Sequence, residues 1–187
     1  MNEPVIDKEG NKFWYINYKL HRLDGPAVIC PVGSQYWYKH GLLHREDGPA
    51  VKTNTYEEWY INGKKHRVDG PAYKRFINNR IEEYWYINDK LHRENGPAII
   101  NRNYKAWYKN GELHRIDGPA IQDNTSDYYY FFGEHYNNED RLKSVVKKIN
   151  QFTAKLKLKY RRKINLEIYN NTNICKDICN LVSKYVI

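Results

Sequence analysis

Several features that mark common classes of protein are scarce or missing in this chain of 187 residues. No stretch approaches the roughly 18 consecutive apolar residues of a membrane-spanning helix. The first ten residues have no apolar core, so they do not resemble a secretory signal. Three cysteines (Cys30, Cys175 and Cys179) are more typical of reduced thiols than of a disulfide framework. We therefore expect an intracellular protein.

The residue patterns that usually mark an enzyme are also missing from the sequence. No Ser or Cys recurs in register with the repeated His residues described below. Paired carboxylates, a Cys–His pair and a glycine-rich phosphate loop do not stand out either. The sequence therefore predicts a protein that is not an enzyme and that needs neither a metal ion nor a cofactor.

The chain does contain a repeat with steps of 22 to 26 residues. The block Trp-Tyr-x-Asn-Gly-x-Leu-His-Arg-x-Asp-Gly-Pro-Ala recurs, and every tryptophan of the protein occupies the same position in it. A degenerate sixth copy begins at Tyr128 and lacks the His-Arg half. Such regular self-similarity predicts a repeat architecture. The tryptophans are Trp14, Trp37, Trp59, Trp85 and Trp107.

Each copy has the sequence pattern of a β-hairpin. Asn62-Gly63 and Asn110-Gly111 favour a type I′ turn, because both residues tolerate a positive φ. An aromatic strand precedes each turn, and a short apolar run follows each Gly-Pro. We expect the four extra residues of the third-to-fourth step to form a loop insertion between Lys74 and Glu83. Pro4-Val5-Ile6 matches the Pro-Ala-Val run and predicts a capping strand that starts the array in mid-unit.

Two aromatic columns run through the copies. Alternation along a strand places each Trp and the Tyr that follows it on opposite faces. We interpret the Trp column as core and the Tyr column as the more accessible one, although an aromatic platform of Trp for a ligand is an alternative. The candidate interaction surface consists of Tyr15, Tyr38, Tyr60, Tyr86 and Tyr108.

The His column has a metal-binding and a structural interpretation. Two strands per repeat would set successive His residues roughly 10 Å apart, too far to share one ion. We therefore expect structural His residues that bond, for example, to a backbone carbonyl. The column consists of His21, His44, His66, His92 and His114.

The Asp before each Gly-Pro also has two interpretations. It could form an ion pair with the Arg two positions earlier, or it could fold the turn through an Asx hydrogen bond. The fourth copy has Asn95 at this position, which keeps the Asx bond and loses the charge. This substitution favours turn formation.

The Tyr-x-Asn-Gly hairpin core and its 22 to 23-residue period resemble MORN-type repeats. The fuller form, Asn-Gly-x-Leu-His-Arg-x-Asp-Gly-Pro-Ala, is similar to the MORN-like repeats abundant in large DNA viruses of amoebae. The match covers about residues 4–136. The resemblance implies an elongated, curved β-sheet array used for interaction or assembly, in a virion or an infected host cytoplasm.

The pattern changes completely after Asn138. Apolar residues from Leu142 onwards follow a 3.6-residue period and predict an amphipathic helix, which Asn137 or Asn138 can cap. Residues 152–160 also alternate, so a strand is an alternative there. A second helix is predicted after residue 173, with Cys175 and Cys179 as small buried residues.

This C-terminal module contains most of the positive charge of the chain. Residues 139–187 hold twelve Lys and Arg against four Asp and Glu, whereas residues 1–138 are nearly balanced. The helices can serve as a cap for the last sheet edge, as a basic patch, or as both. The candidate anion-binding residues are Lys155, Lys157, Lys159, Arg161, Arg162 and Lys163.

The sequence thus predicts a mainly β protein in two parts. Residues 1–137 form an elongated open array of about five and a half β-hairpin units, and residues 138–187 form a small, basic α-helical cap. We expect a non-enzymatic repeat scaffold for protein–protein interaction, which includes self-association, or for structural assembly. The alternative is a protein that binds nucleic acid, acidic lipid or an acidic protein through the C-terminal helices.

Overall fold

The structure, a computed structural model, describes residues 3–159 of the chain, and the side chains up to residue 154. Within this range it is mainly β, with one helix at the C-terminal end. In chain order the elements are β1 (Val5–Ile6), β2 (Lys12–Phe13), β3 (Tyr15–Ile16), β4 (Lys19–Leu20), β5 (Val28–Ile29), β6 (Gln35–Tyr36), β7 (Tyr38–Lys39), β8 (Leu42–Leu43), β9 (Val51–Lys52), β10 (Tyr56–Glu58), β11 (Tyr60–Ile61), β12 (Lys64–Lys65), β13 (Tyr73–Ile77), β14 (Arg80–Tyr84), β15 (Tyr86–Ile87), β16 (Lys90–Leu91), β17 (Ile99–Asn101), β18 (Tyr104–Ala106), β19 (Tyr108–Lys109), β20 (Glu112–Leu113), β21 (Ile121–Asp123), β22 (Asp127–Phe131), β23 (Glu134–Tyr136) and α1 (Glu139–Lys159).

Thirteen strands form one antiparallel sheet that extends along the whole array, in the order β1-β2-β5-β6-β9-β10-β13-β14-β17-β18-β21-β22-β23. Each internal repeat contributes the strand after its Gly-Pro-Ala and the strand before the next Trp. Val28, for example, pairs with Phe13 on one side and with Tyr36 on the other. The sheet therefore grows in chain order, and the predicted open array of hairpins is confirmed.

The remaining ten strands form five two-stranded hairpins, one in each repeat. Both turn residues have a positive φ, as a type I′ turn requires: φ is +50° at Asn62 and +78° at Gly63. The copies with poorer turn sequences adopt the same backbone, for example Asn17-Tyr18 and Asn88-Asp89. The hairpin prediction is thus confirmed even where glycine is missing.

Backbone hydrogen bonds join these hairpins into a second continuous layer, the hairpin row. Between the first and second copies, the Arg22 N–H donates to the Tyr38 carbonyl (3.1 Å), and the Gly41 N–H donates to the Leu20 carbonyl (2.8 Å). The same pair of bonds recurs at every later step along the array. Neighbouring repeats are therefore connected twice, once through the sheet and once through the hairpin row.

Each Trp marks the corner where the chain leaves the sheet and enters a hairpin. The Trp59 N–H donates to the Ala72 carbonyl (2.8 Å), and the Trp59 carbonyl accepts from the His66 N–H (3.1 Å). The Trp side chains are half-buried, so the expectation that they form the core is wrong. The fully buried position is instead the alanine of Gly-Pro-Ala, because it lies where both layers meet and only a small side chain fits. These alanines are Ala27, Ala50, Ala72, Ala98 and Ala120.

The extra residues of the third-to-fourth step do not form a loop. They lengthen β13 and β14, which pair from Tyr73–Tyr84 to Ile77–Arg80. Asn78 and Asn79 close this long hairpin with φ values of +44° and +61°. The expected loop insertion is therefore a longer β-hairpin, since an Asn-Asn pair supplies the turn.

The array begins with β1, as the capping-strand prediction requires, although its alignment shifts by one residue. Val5 pairs with Phe13 in the way that Val28 pairs with Tyr36. Val5 therefore corresponds to Val28, and Pro4 corresponds to Ala27 instead of to a repeat proline.

Helix α1 closes the C-terminal end of the array. The Arg141 N–H donates to Asn138 Oδ1 (2.9 Å), which confirms Asn138 as the N-cap, and Glu139 and Asp140 lie in the first turn. Leu142 is fully buried where the helix contacts β22 and β23. The helix continues to Lys159, so the strand alternative is wrong for residues 152–159.

Two further sequence-based expectations concern the C-terminal part. The predicted second helix, with Cys175 and Cys179, lies outside the described residues. Between residues 3 and 159, no helix is both long enough and apolar enough to cross a membrane.

Candidate interaction surface on the tyrosine face

One side of the repeats consists of an Arg stacked on the Trp of the same copy. The guanidinium carbon lies 3.8–4.3 Å from the ring centroid in all five copies, a cation–π geometry. In the second copy, Arg45 Nε also donates to Asp47 Oδ1 (2.9 Å), and Arg45 Nη1 donates to the Pro49 carbonyl (3.4 Å). These contacts stay within one repeat and hold its corner together.

The repeated Asp is the partner of this Arg and does not form an Asx turn. Arg Nε donates to Asp Oδ1 in all four copies that have Asp, and this hydrogen bond is the main cause that lowers the pKa of Asp24 and its equivalents. An Asx turn needs an N–H two residues further on, where each copy has proline, which has none. The Asx expectation was therefore wrong. In the fourth copy, where Asn95 replaces Asp, Arg93 still donates to the Pro97 carbonyl (3.1 Å).

Each His joins its own hairpin to the next one. His44 Nδ1 accepts a hydrogen bond from the Asn62 backbone N–H (3.1 Å), and three other copies repeat this bond. In the third copy, His66 Nδ1 contacts Asn88 Oδ1 instead (2.9 Å). The expectation of a structural His bonded to a backbone carbonyl is thus wrong about the partner, because in four copies Nδ1 accepts from a backbone N–H and in the third it contacts a side-chain oxygen.

Only a neutral ring can accept through Nδ1, and burial favours that form at His114 and His21. Burial, with a contribution from Lys109, lowers the pKa of His114 to about 4. Burial also lowers the pKa of His21, to which His40 and Lys39 contribute. Among residues 3–159, no group of three or more His, Cys, Asp or Glu side chains is arranged to hold a metal ion.

Tyrosines of both layers meet on the other side of the repeats and form what we call the tyrosine face. Alternation places Tyr36 and Tyr38 on one side of the strand and Trp37 on the other. The face is half-buried and extends over the second to the sixth copy. Its members are Tyr36, Tyr38, Tyr56, Tyr60, Tyr73, Tyr84, Tyr86, Tyr104, Tyr108 and Tyr130.

Ring contacts and hydroxyl hydrogen bonds connect the members of the tyrosine face. The Tyr73 ring centroid lies 6.1 Å from that of Tyr56 and 5.3 Å from that of Tyr84, the latter edge to face. The side chains of Tyr104 and Tyr108 are hydrogen-bonded to each other. Burial, followed by the charge of Glu58, raises the pKa of Tyr60 to about 12. The Tyr60 hydroxyl therefore stays uncharged at neutral pH.

An ion pair lies in the middle of the tyrosine face. Lys65 Nζ contacts Glu58 Oε1 at 2.9 Å and lies 5.2–5.9 Å from the ring centroids of Tyr60, Tyr73 and Tyr86. Burial lowers the pKa of Lys65, but the Glu58 hydrogen bond and charge outweigh it and raise the pKa above its ordinary value. The equivalents of Lys65 are Leu20, Leu43, Leu91 and Leu113, and those of Glu58 are Phe13, Tyr36, Tyr84 and Ala106. The third copy therefore differs from the others by a matched pair of charges.

The structure brings four of the five column tyrosines together on this face, as half-buried side chains. Tyr15 lies at the N-terminal end of the column and is 40% exposed. The sequence-based candidate surface did not include the sheet tyrosines, although Tyr36 and Tyr84 lie two residues before column members. It also missed the Lys65–Glu58 pair, which a comparison of the copies would have found.

The candidate anion-binding residues are only partly described. Lys155, Lys157 and Lys159 lie on α1, where the structure describes the backbone alone. Arg161, Arg162 and Lys163 lie outside the described residues.

The fold and its surfaces define a repeat protein built from β-hairpins in one large antiparallel sheet, compatible with a MORN-like repeat. In comparisons with known proteins, no family model, no curated protein and no solved structure matches the chain.

Proposed function

We propose that this protein is a non-enzymatic, MORN-like repeat scaffold that binds a protein partner through the tyrosine face. The observation that carries the proposal is the continuity of this face, which joins tyrosines of the sheet and of the hairpin row across the repeats. The sequence resemblance to viral MORN-like repeats supports a role in the assembly of a large DNA virus, in the virion or the host cytoplasm.

Physical chemistry favours a protein partner for such a surface. Tyrosine is enriched at protein interfaces because it offers a large ring area together with one polar atom. The rings already contact one another and the Tyr104 hydroxyl is already hydrogen-bonded, so little side-chain freedom would be lost on binding. The Lys65–Glu58 pair would give this surface a charged centre among the rings of Tyr60, Tyr73 and Tyr86.

Site-specific photo-crosslinking tests whether this face contacts a partner. A photoreactive phenylalanine would replace Tyr38 or Tyr108 on the tyrosine face, and Val68, which is exposed in the Arg–Asp segment, in a matched control. We expect a discrete crosslinked species from the two face positions, in lysate of the natural source, that the control does not give. Equal crosslinking from all three positions, or none from the face, contradicts the proposal.

Comparison of the repeat copies suggests a variant that tests the Lys65–Glu58 ion pair specifically. Glu58→Tyr with Lys65→Leu converts the third copy to residues found at the same positions elsewhere in the chain. Because such residues fit this site in the other copies, we expect an unchanged melting temperature and a partner affinity reduced at least tenfold. Unchanged affinity would show that the charged centre does not contribute to binding.

A second candidate function is binding of an anionic partner, such as nucleic acid or acidic lipid, by the C-terminal module. It is supported by the unbroken helix through Lys159 and by the concentration of positive charge after residue 138. Binding to single-stranded RNA, duplex DNA or phosphatidylserine vesicles should then weaken steeply with salt. Charge reversal at Lys155, Lys157 and Lys159 should abolish it, and binding that survives the reversal contradicts this function.

A further inference from the structure

The two ends of the array are built differently. At the C-terminal end, α1 packs on β22 and β23, and Val146 of the helix lines a shallow groove together with Ile116 of the fifth repeat. At the N-terminal end the sheet stops at β1, and no strand in the described part of the chain pairs with its outer edge. One end of the sheet is therefore covered and the other is open.

The hairpin row is open at the same end. In each later copy, the Tyr carbonyl accepts from the Arg N–H of the preceding repeat, and a turn N–H donates back to that repeat. No preceding repeat within residues 3–159 provides these bonds for the Tyr15 carbonyl or the Tyr18 N–H. Both layers thus present unpaired backbone groups on one surface, which we call the N-terminal edge.

Apolar side chains accompany these backbone groups. Val5 is 61% exposed, whereas Val28, its equivalent inside the sheet, is 8% exposed because neighbouring strands cover it on both sides. Ile6 is 58% exposed, and Ile16 and Tyr15 of the first hairpin are also exposed. Edge strands that stay unpaired usually have charged side chains that block pairing, whereas β1 consists of valine and isoleucine.

We propose that the N-terminal edge binds a second copy of this chain, with β1 pairing antiparallel to β1 of that copy. A two-fold axis relates identical strands in an antiparallel arrangement, which is the arrangement of every other strand pair in this sheet. Two residues are enough for such a pair, because β2, β5, β6 and β9 are equally short and pair on both sides. The second copy thereby continues the sheet across the dimer.

The covered C-terminal end determines the size of the assembly. Head-to-tail stacking would require the N-terminal edge to reach β23, which contacts α1. Among the sheet ends formed by residues 3–159, only the N-terminal edges are free to meet, so the assembly closes at two copies and does not grow into a filament. The interface is small, since β1 has only two residues, so we expect a reversible dimer.

Sedimentation analysis of the full chain over a range of concentrations tests this proposal. Ile6→Lys places a charge on the edge, and because the side chain is largely exposed, the fold should not change. Val68→Lys is the matched control, since Val68 is an exposed aliphatic residue far along the array. We expect a monomer–dimer equilibrium for wild type and Val68→Lys, and a monomer for Ile6→Lys with an unchanged melting temperature.

Three outcomes would overturn the proposal: a wild-type monomer at all concentrations, a dimer that persists in Ile6→Lys, or species larger than a dimer. Hydrogen exchange of the wild-type protein gives a second test that needs no variant. The amides of Val5 and Ile6 should become more protected as concentration rises, and equal exchange at all concentrations also overturns the proposal. The tyrosine face is intact in Ile6→Lys, so crosslinking there succeeds or fails independently.

Discussion

One arginine in each repeat accounts for most of the residues that recur around it. In the fifth copy, Arg115 stacks on Trp107, donates to Asp117, and reaches the Pro119 carbonyl. The glycine of Asp-Gly-Pro completes the set, because a Cβ on Gly118 would lie 2.9 Å from the guanidinium carbon. Trp, Arg, Asp, Gly and Pro thus recur as one contact unit, whereas the sequence pattern favoured a core Trp and a turn-forming Asp over the Arg–Asp ion pair.

The closeness of glycine and arginine predicts the effect of Gly70→Ala. The new Cβ would lie 2.6 Å from Arg67 Cζ, so the guanidinium must leave its place between Trp59 and Asp69. We expect the free energy of unfolding to fall by about 1–3 kcal/mol, measured by urea denaturation. Gly25→Ala is the control, since its Cβ would lie 3.2 Å from the arginine carbon and should cause a smaller loss. Equal losses would contradict the packing explanation.

The histidine links predict a pH dependence of stability. The pKa of His114 is about 4 in the folded protein and about 6.5 when unfolded, so the unfolded state binds more protons between these values. The contribution of His114 is complete above pH 6.5 and decreases as pH falls towards 4. By pH 5 we expect a loss of about 2 kcal/mol of unfolding free energy from this residue.

A variant without the titrating ring isolates this effect. In His114→Asn the amide oxygen can take the place of Nδ1 as acceptor for the Phe132 N–H. Comparing urea denaturation at pH 7 and pH 5, we expect a smaller difference in His114→Asn than in wild type. The same pH dependence in both proteins would show that His114 is not responsible.

At the scale of elements, the two-residue turn is the feature that tolerates most sequence variation. All six hairpin turns of the repeats have positive φ at both positions, although only four have glycine at the second. Hydrogen bonds to the preceding repeat hold this backbone in place, as the Asp89 N–H does at the Lys65 carbonyl (2.9 Å). The first hairpin has no such support from another described repeat, and its second turn residue is Tyr18.

This difference predicts that Tyr18→Gly stabilises the protein. The Tyr18 side chain is fully exposed and its φ of +60° is unfavourable for any residue with a Cβ. We expect an increase of about 0.5–1 kcal/mol in unfolding free energy, measured by thermal and urea denaturation.

Asp89→Gly is the matched control for that change, because φ at Asp89 is similar, +64°. Asp89 Oδ1 also accepts from the Lys65 N–H (2.7 Å), so the variant loses a hydrogen bond as it relieves the backbone. We expect no stabilisation there. An equal gain at both positions would mean that the Asp89 bond contributes nothing.

At the scale of the whole molecule, the repeats at the ends of the array have different neighbours from the repeats in its middle. Neighbouring copies cover the alanine of Gly-Pro-Ala in each repeat, while α1 packs on the strands of the last copy. Removing the helix contact should therefore affect both stability and assembly.

We test the role of the helix with Leu142→Asp. Leu142 is fully buried, so a carboxylate there should reduce the free energy of unfolding by about 3 kcal/mol or more and detach the helix. With both sheet ends open, we expect sedimentation to detect species larger than a dimer. Ser144→Asp, at an exposed position of the same helix, should change neither property. A variant Leu142→Asp with wild-type stability would contradict the capping role.

The sequence alone determined the features that depend on neighbours along the chain. The period, the hairpins, the turn positions and a helix capped at Asn137 or Asn138 follow from local patterns, because φ preferences and alternation act over a few residues. Asn62-Gly63 is an example, since its turn forms as predicted. The same applies to the separation of the Trp37 and Tyr38 side chains, which alternation requires.

Tertiary structure decided which residues of different strands meet, and the sequence pattern contains no distances between strands. The tertiary structure buried the alanines and left the tryptophans half-buried. It also made His44 Nδ1 the acceptor for the Asn62 N–H, and it placed Tyr73 of the sheet next to Lys65 of the hairpin row. Among residues 3–159, it also left the outer edge of β1 without a partner strand and packed α1 against β23. The physical reason is that burial, hydrogen-bond partners and the state of a sheet edge depend on what packs alongside in space.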